Sequence, residues 1–504
     1  MPFTRRQFIK LSTAALTAPL LWPARLWAGT PPVLPEPTPQ KLPRWRGFNL
    51  LEKFNVKNLR PFVESDFAWL AGWGFNFVRL PMDYRCWAAT PTAEFHEPSL
   101  REIDQAVEFG RKYGVHVNLN FHHAPGYCVS LPEAQCTLWT DPAMQAQFAR
   151  HWGVFAKRYQ GVPNRQLSFD LVNEPSGVSN ATYAAVAAQA VAAIRAEDPA
   201  RLIIADGNQY GTKPVPELVP LGLAQSTRGY EPMLVSHYRA QWVPKSDQFP
   251  VPVWPIPLGL NRHLYGAGKP QLQTPLVLKV NCRTASRLGI QVAHVSVQAE
   301  LIVRADGKIV LQKMFTPAAG AGEWKNSTPN KSGGFEADYD LTCHAELPAG
   351  TREIRVEIGQ GVALTFAVLQ FGDVKITPTD QRWGVPQETF AIDETGRFQP
   401  VKERWLHSRE TLRKSMVEPW QKLAAQGVGV HVGEWGVFNQ TPHAVALAWM
   451  RDCLTNWQAA GWGWALWNLR GKFGILDSER ADVQYEEFNG HKLDREMLEL
   501  LREF

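Results

Sequence analysis

The chain has 504 residues, of which 45% are hydrophobic and 20% charged, as in an ordinary globular protein. This length allows one large barrel together with a second module. The net charge is +5, but residues 1–28 hold four basic residues and no acid, so the rest carries only +1. A nearly neutral body gives no electrostatic reason to expect binding to nucleic acid or to a membrane surface.

Residues 1–28 have the pattern of an export signal. Arg5 and Arg6 form a twin-arginine motif, and a modest apolar stretch follows from residue 11 to 22. Pro19 and Pro23 interrupt this stretch, which is too short to span a bilayer stably. We therefore predict a bacterial protein that the twin-arginine machinery exports to the periplasm or beyond, with no stable membrane span after cleavage. Residues 29–44 form a Pro-rich lead-in.

From residue 45 onward, strand and helix signals alternate along the chain. Strands are predicted at 47–51, 75–80, 115–121, 167–172, 202–205, 233–236, 428–432 and 463–467. Helices are predicted near 65–73, 99–113, 142–159, 180–197, 402–425, 441–460 and 494–501. Eight strands with intervening helices predict an α/β fold, a (β/α)8 TIM barrel built from residues 45–270 and 379–504.

The alternation stops between residues 271 and 378. This stretch has no convincing amphipathic helix but many short alternating runs, and Asp306-Gly307 between two of them is a hairpin signal. The pattern predicts an inserted antiparallel β-sandwich in the loop after strand six, on the C-terminal face of the barrel. Its role is open between a binding module, an interaction module and a lid.

The chain has six cysteines. Cys128 and Cys136 lie in one predicted loop, and Cys282 and Cys343 lie in the insert, so either pair could bridge in an oxidising compartment. The sequence does not decide between bridged and free forms. It has no Cys-x-x-Cys and no His/Cys cluster with zinc-ligand spacing, so we predict neither a metal site nor a cofactor.

Two glutamates follow predicted strands and precede turn-forming residues. Glu174 ends the fourth strand before Pro175, and Glu434 ends the seventh strand just before Gly436. Catalytic groups of such barrels gather at the C-terminal ends of the strands. A retaining glycosidase needs a proton donor and a nucleophile about 5 Å apart. We therefore predict Glu174 as the acid/base and Glu434 as the nucleophile.

Other strand ends also carry polar or aromatic groups. These candidate substrate-binding residues are Arg79, His122, His123, Asn173, His237, Tyr238 and Trp467. Neighbouring residues on a strand face opposite sides, so we expect one of His122 and His123 to be functional and the other to pack elsewhere.

These motifs together resemble those of family 5 glycoside hydrolases, the cellulase family, whose acid/base and nucleophile follow strands four and seven. The resemblance covers about residues 45–270 and 380–504. It rests on Asn173-Glu174-Pro175, on Gly433-Glu434-Trp435-Gly436, and on the Val-Arg-Leu-Pro, Asn-Phe-His-His-Ala-Pro-Gly and Leu-Trp-Asn-Leu segments. It implies a metal-independent retaining hydrolase of a β-linked polysaccharide or oligosaccharide, with endo-β-1,4-glucanase as the first expectation.

Other activities stay open. They are β-mannanase, exo-acting β-glucosidase and β-1,3-glucanase, and, from another class, a non-catalytic carbohydrate-binding barrel. A non-catalytic barrel should have lost one carboxylate or its support, and none is missing. In the insert, Trp324, Phe335 and Tyr339 could form a sugar-binding face or fill the core, and in the barrel Trp139, Trp242, Trp254 and Trp435 are candidate sugar platforms.

The roles follow from the chemistry. Glu174 must stay protonated near neutral pH, so we expect burial and the charge of Glu434 to raise its pKa. Arg79 supplies the opposite charge that keeps Glu434 ionised, and Asn173 is placed to hold the sugar 2-hydroxyl. We expect His122 and His237 to orient the carboxylates and the substrate hydroxyls, and Trp467 to form the floor under the attacked sugar.

One segment departs from the family pattern, which usually has His-x-Tyr after strand six. Here His237 is followed directly by Tyr238, so the tyrosine comes one residue early. His263-Leu264-Tyr265 has the usual spacing but lies in a Pro-rich loop. We assign the site to His237 and Tyr238, and the tyrosine's role is in doubt.

Overall fold

The computed structural model describes residues 33–129, 137–331, 333–380, 382–402 and 405–504. The export signal at 1–28 and Cys136 lie outside these ranges, so twin-arginine export and the Cys128–Cys136 bridge stay predictions. Among the described residues, the helices are all too short or too polar to cross a membrane.

Eight parallel strands form a closed barrel. They are Arg46–Asn49, Phe77–Asp83, His116–Ala124, Leu167–Asp170, Ile203–Asp206, Ala224–Gly229, Val430–Trp435 and Trp464–Leu466. Each strand pairs in parallel with the next, and the eighth returns to the first, with Ala465 opposite Gly47. The predicted (β/α)8 barrel is therefore confirmed.

Helices cover the outside of the barrel, close to the predicted positions. They are Glu64–Gly72, Glu97–Tyr113, Pro142–Arg158, Asn180–Glu197, Arg409–Leu412 and Glu418–Ala424 with a π-turn between them, His443–Ala460 and Arg495–Glu503. Local signals set their ends: Ser179 caps the fourth helix by accepting from the Thr182 N–H, and Gly114 ends the second in the left-handed conformation. The fifth strand is followed only by the short Asn208–Gly211 and the 3-10 helix Pro216–Leu221.

The predicted sixth strand at 233–236 is wrong. The sixth barrel strand is Ala224–Gly229, and Met233–Ser236 is a short helical turn that follows Pro232. The true strand is fully buried although its sequence is Ala-Gln-Ser-Thr-Arg-Gly. Its polar side chains have buried partners, with Gln225 bonded to the Val215 backbone and Arg228 to Glu174 and Asp206, so the apolar run that marks a buried strand is absent.

The insert is a β-rich unit that is wider than the predicted 271–378. Its connected sheet consists of His263–Tyr265, Leu276–Lys279, Ser286–Ala305, Lys308–Phe315, Asn326–Pro329, Phe335–Leu347, Glu353–Phe371, Val374–Ile376, Thr389–Ile392 and Phe398–Pro400. All described pairings are antiparallel except that of the second strand with the ninth. The Asp306-Gly307 hairpin is confirmed, with Ala305 opposite Lys308.

The insert has a hydrophobic core of its own, distinct from that of the barrel. Tyr339 packs in this core against Phe315 and beside Trp324, so it does not form an exposed sugar-binding face. Cys282 and Cys343 are buried free thiols, so they do not form a disulfide bridge with each other.

A two-stranded neck joins the insert to the barrel. Ile256–Pro257 pairs antiparallel with Trp405–His407, between the sixth barrel strand and the helix that begins at Arg409. The insert therefore leaves from the C-terminal face, where the strand ends carry their polar groups. The remaining short elements are the strands Tyr127–Cys128, Glu486–Phe488 and His491–Leu493 and the 3-10 helices Val56–Asn58, Tyr84–Cys86, Ser246–Gln248 and Pro270–Leu272.

Candidate active site

Glu434 is held at the end of the seventh strand by two cations and a hydroxyl. Arg79 Nη1 donates to Oε1 at 2.6 Å, and Arg228 Nη2 lies 3.2 Å from the same oxygen. The Tyr230 hydroxyl donates to Oε2 at 3.3 Å. The side chain is only 5% exposed. A buried carboxylate with both oxygens satisfied in this way is oriented for attack on a carbon above it.

Glu174 follows the fourth strand in a constrained backbone conformation. Its φ of 49° lies in the left-handed region, which is rare for a non-glycine residue and typical of functional sites. Its N–H donates to Asp206 Oδ2 at 2.9 Å, and its carbonyl accepts from the Tyr127 hydroxyl at 2.7 Å. Burial and then the charge of Glu434 raise the pKa of Glu174 to about 8, although Arg228 acts in the opposite direction. The carboxyl can therefore hold a proton at neutral pH.

Arg228, at the end of the sixth strand, joins both carboxylates and was missed by the sequence analysis. Its Nε donates to Glu174 Oε1 at 2.9 Å, and its Nη2 donates to Asn173 Oδ1 at 2.8 Å. Both terminal nitrogens also bind the Asp206 carboxylate. Asp206 thus orients the guanidinium and the Glu174 backbone together.

Glycines make room for Arg228. A Cβ at Gly433 would lie 2.4 Å from Ser226 Oγ and 2.9 Å from Arg228 Nη1, and a Cβ at Gly211 would lie 2.6 Å from Arg228 Cγ. None of these distances is compatible with a side chain there unless the neighbouring atoms move. The close approach explains why the residue directly before Glu434 is a glycine.

Arg79 lies beneath the site and connects its inner groups. It donates from Nε to Asp170 Oδ2 at 2.8 Å, from Nη1 to Asn49 Oδ1 at 3.2 Å and from Nη2 to Asn173 Oδ1 at 3.0 Å. Burial and then the charge of Asp206 raise the pKa of Asp170 to about 7. The buried cluster thus combines two guanidinium groups with four carboxyl groups, two of which bind protons near neutral pH.

Asn173 and His122 are buried beside the carboxylates and contact each other. Asn173 Oδ1 is used by both arginines, while its Nδ2 lies 3.4 Å from His122 Nε2. Burial lowers the pKa of His122 well below its usual value, so the ring is neutral. With Nε2 assigned as the acceptor, Nδ1 carries the proton, and within the described ranges Nδ1 has no hydrogen-bond partner. This buried donor is therefore unpaired in the part of the chain that the structure describes.

Trp467 and Phe54 form an aromatic wall beside His122. The Trp467 ring stacks on His122 with 5.6 Å between centroids and an interplanar angle of 25°. Phe54 packs edge-on against both, at 5.5 Å from Trp467 and 4.6 Å from His122. Trp467 is only half-buried, so part of its ring faces the site.

His123 points away from the carboxylates. Its Nδ1 lies 3.1 Å from Arg85 Nη2 and 3.5 Å from Asp83 Oδ2. The two rings are only 5.9 Å apart and both contact Phe54, but their polar partners differ: His122 lies beside Asn173, and His123 lies beside Arg85 and Asp83.

The assignment of Tyr238 as the tyrosine at the nucleophile is wrong, because the sixth strand was misplaced. Tyr230 makes that contact, and the Tyr238 ring instead lies under Arg239. Arg228-Gly229-Tyr230 has the spacing of the expected His-x-Tyr, with arginine in the place of histidine. Tyr265 lies in the sheet of the insert.

His237 reaches the site only through Tyr230. Its ring lies 5.0 Å from the Tyr230 ring, and its Nδ1 lies 2.8 Å from Ser236 Oγ. Burial lowers the pKa of His237 to about 4. It supports the wall of the site, and within the described ranges no hydrogen bond or ion pair joins it to Glu174 or Glu434.

Among the four candidate tryptophan platforms, only Trp242 is exposed. Trp139 and Trp435 are buried, and Trp254 donates from Nε1 to Asp452 Oδ2 at 2.9 Å while packing on the core. In the part of the chain that the structure describes, no group of three or more His, Cys, Asp or Glu side chains could hold a metal ion.

Comparison with known proteins shows which families and structures the chain is similar to. Residues 40–230 match the model of the cellulase family (glycosyl hydrolase family 5). Endoglucanase C of Acetivibrio thermocellus is 30% identical over 195 residues, which cover 38% of this chain and 56% of that protein. The chain thus spans little more than half of this curated relative.

Solved structures match over more of the chain. One described as a glycoside hydrolase is 27% identical with a TM-score of 0.59, and the match covers 91% of this chain and 99% of that one. The endoglucanase Cel5A of Thermotoga maritima shares the fold at 15% identity and a TM-score of 0.52, with 91% and 96% covered. The family match contains the first six barrel strands and Glu174, so this part of the chain is similar to the cellulase family (glycosyl hydrolase family 5).

Proposed function

We propose that the chain is a retaining β-glycoside hydrolase that cleaves a β-1,4-glucan internally by double displacement. The observation that supports this most strongly is the pairing of two unlike carboxyl groups on one guanidinium. Glu174 has a pKa raised to about 8, whereas Glu434 accepts hydrogen bonds from Arg79 and Tyr230. A carboxyl group that keeps its proton can act as the acid, and a carboxyl group held by hydrogen-bond donors can act as the nucleophile.

In the first step, a Glu434 oxygen attacks the anomeric carbon of the bound sugar. The bond from that carbon to the leaving oxygen breaks, and Glu174 gives its proton to this oxygen. An ester between Glu434 and the sugar results. In this proposal Asn173 and His122, which lie together beside the carboxylates, bind sugar hydroxyls as positive charge develops on the ring.

In the second step, Glu174 is ionised and takes a proton from water. The water oxygen attacks the anomeric carbon, the ester bond breaks, and Glu434 leaves as a carboxylate. Two inversions return the original configuration. The contact of Arg228 Nε with Glu174 suits this stage, because it favours the ionised carboxyl.

The choice of β-1,4-glucan rests on the relatives, since the matched protein from Acetivibrio thermocellus is described as an endoglucanase. The test is product analysis of the purified protein on soluble β-1,4-glucan, β-1,3-glucan and β-mannan. Oligosaccharides of mixed length from the β-1,4-glucan alone support the proposal. Release of one short sugar from chain ends would indicate an exo-enzyme. Activity on another polymer would show that this polymer, and not β-1,4-glucan, is the substrate.

Two variants make the test specific. Glu434→Gln should abolish release, whereas Glu496→Gln, at a side chain that is 76% exposed, should match the wild type. If the folded wild type releases no sugar from any of the polymers, the proposed hydrolysis is contradicted. If it still binds a polymer in that case, a non-catalytic carbohydrate-binding barrel is favoured.

We also propose export by the twin-arginine machinery, which is supported by Arg5, Arg6 and the apolar stretch that follows. Cell fractionation of the full chain tests it. The wild type should appear outside the cytoplasm, and the double variant Arg5→Lys, Arg6→Lys should be retained. Equal distribution of both would contradict this route.

A further inference from the structure

Three loops of the C-terminal face bring together an aromatic cluster, formed by Trp242, Phe438 and Phe473. The Trp242 ring stands edge-on to Phe438 at 5.0 Å and lies 6.2 Å from Phe473. Both phenylalanines are buried, whereas Trp242 is 59% exposed. A large apolar ring that is fixed from behind and open in front is a surface for a ligand with an apolar face.

This cluster is continuous with the reaction centre. The His237 ring lies 6.1 Å from Trp242 and 5.0 Å from Tyr230, whose hydroxyl donates to Glu434. Phe473 lies 5.6 Å from His237, and Trp467 also packs against the cluster. Two steps from ring to ring thus lead from the nucleophile's tyrosine to the exposed indole.

Trp383, another exposed tryptophan, has a different setting. It is 54% exposed, and its ring neighbours are His263 and Tyr265 in the sheet of the insert. Among the described residues, no hydrogen bond, ion pair or ring contact joins it to the carboxylate cluster. Exposure alone therefore does not distinguish Trp242, whereas its connection to Tyr230 does.

We infer that Trp242 is the platform of a further sugar subsite beside the site of bond cleavage, where it stacks on the apolar face of a pyranose ring of the substrate chain. This inference rests on the proposed function. Lys472 lies at the edge of the platform, with Nζ 5.9 Å from the Phe438 ring, and offers donors to the hydroxyls of that sugar. Binding a ring away from the reacting bond supplies energy that is used at that bond, so the contribution should appear in kcat/KM and grow with substrate length.

The test compares Trp242→Ala, Trp242→Phe and Trp383→Ala on cello-oligosaccharides of increasing length and on a chromogenic aryl β-cellobioside. Trp242→Ala should lower kcat/KM roughly tenfold or more on the longest substrate, as expected for truncating a contact tryptophan, and by a smaller factor on the shortest. Trp242→Phe keeps an aromatic ring, so its kcat/KM should stay close to that of the wild type. Trp383→Ala should have the same kcat/KM as the wild type at every length. An equal loss at every length, or no loss, would overturn the inference.

A second measurement separates this inference from the proposed function. Calorimetric binding of cellohexaose to Glu434→Gln should weaken about tenfold when Trp242→Ala is added, and not when Trp383→Ala is added. If the wild type hydrolyses nothing, the proposed function fails while this binding difference still supports the subsite. If the wild type is active but neither length dependence nor binding changes, only the subsite is contradicted.

Discussion

Arg228 contacts Glu174 through Nε at 2.9 Å, and the same guanidinium lies 3.2 Å from Glu434. The proton on Glu174 is therefore coupled to the charge on Glu434. In the proposed double displacement Glu434 loses its charge as it becomes an ester, so one of the causes that raise the Glu174 pKa disappears while Arg228 remains. The same residue can thus be an acid in the first step and a base in the second.

The alkaline limb of the pH profile should report Glu174. Its pKa is raised to about 8, so it holds its proton below that pH and loses it above, and kcat/KM should fall as the pH rises through about 8. Initial rates on a soluble substrate between pH 5 and pH 10 measure this. If kcat/KM already falls at a pH near the ordinary pKa of a carboxyl group, burial does not raise the pKa of Glu174 as described.

Removing the Arg228 cation should affect both stability and the pH profile. Arg228→Met leaves the buried Asp206 without its main partner, which should cost about 3–5 kcal/mol of the free energy of unfolding. It should also move the alkaline limb to higher pH, since Arg228 acts to lower the Glu174 pKa.

Arg228→Lys is the matched variant for this test. It keeps the charge but loses the planar fork that binds Glu174 and Asp206 together, so an intermediate loss of stability is expected. Denaturant unfolding and pH profiles measure both variants. If Arg228→Met is as stable as the wild type and the alkaline limb of its pH profile is unchanged, Arg228 does not couple the carboxylates.

Tyr230→Phe should slow the reaction, because it removes the hydroxyl that donates to Glu434 Oε2. A hydrogen bond to a charged group contributes about 1.5–3 kcal/mol, which corresponds to a roughly ten- to hundredfold lower kcat/KM. The length of this bond favours the lower end. Tyr238→Phe is the control, and its kcat/KM should equal that of the wild type. The reverse order of effects would restore Tyr238 as the tyrosine at the nucleophile.

The barrel should fold without the insert. Pro257 and Trp405 are paired across the neck, so residues 258–404 can be replaced by a short turn without separating the ends, and the two cores are distinct. Circular dichroism and thermal unfolding should show a folded barrel that still hydrolyses a soluble substrate. Failure to fold would mean that the insert contributes to the barrel's stability.

The same deletion addresses the role of the insert. Pull-down on insoluble glucan, compared with the full chain, separates binding from closure of the site. A loss of pull-down would support a binding module, and unchanged pull-down with altered product length would support a lid.

The sequence was sufficient to place Glu174 and Glu434 at strand ends on the same face, but not to find Arg228, which connects them. Glu174 and Glu434 follow apolar runs that mark strands four and seven, so strand ends could be located and their groups assigned. The sixth strand has no such run, because Gln225 bonds to the Val215 backbone and Arg228 enters the carboxylate cluster. The Tyr238 error followed from that strand. The spacing of Arg228 and Tyr230 was the signal that could have located both residues.

The edges of the insert were missed for a different reason. Leu276–Lys279 pairs in parallel with Thr389–Ile392, which lies far away in the sequence. His263–Tyr265 is a three-residue strand that pairs within the long Glu353–Phe371 strand. Local alternation detects a strand but not its distant partner, so the predicted bounds stopped before the outermost strands.

The stereochemical course of hydrolysis tests the central claim most directly. Proton NMR of the first turnovers on a soluble β-glycan, recorded before mutarotation, identifies the anomer that is released. Double displacement through Glu434 with Glu174 as acid and base requires that the β-anomer appears first. Initial release of the α-anomer would show a single inversion and would contradict the roles assigned to the two glutamates.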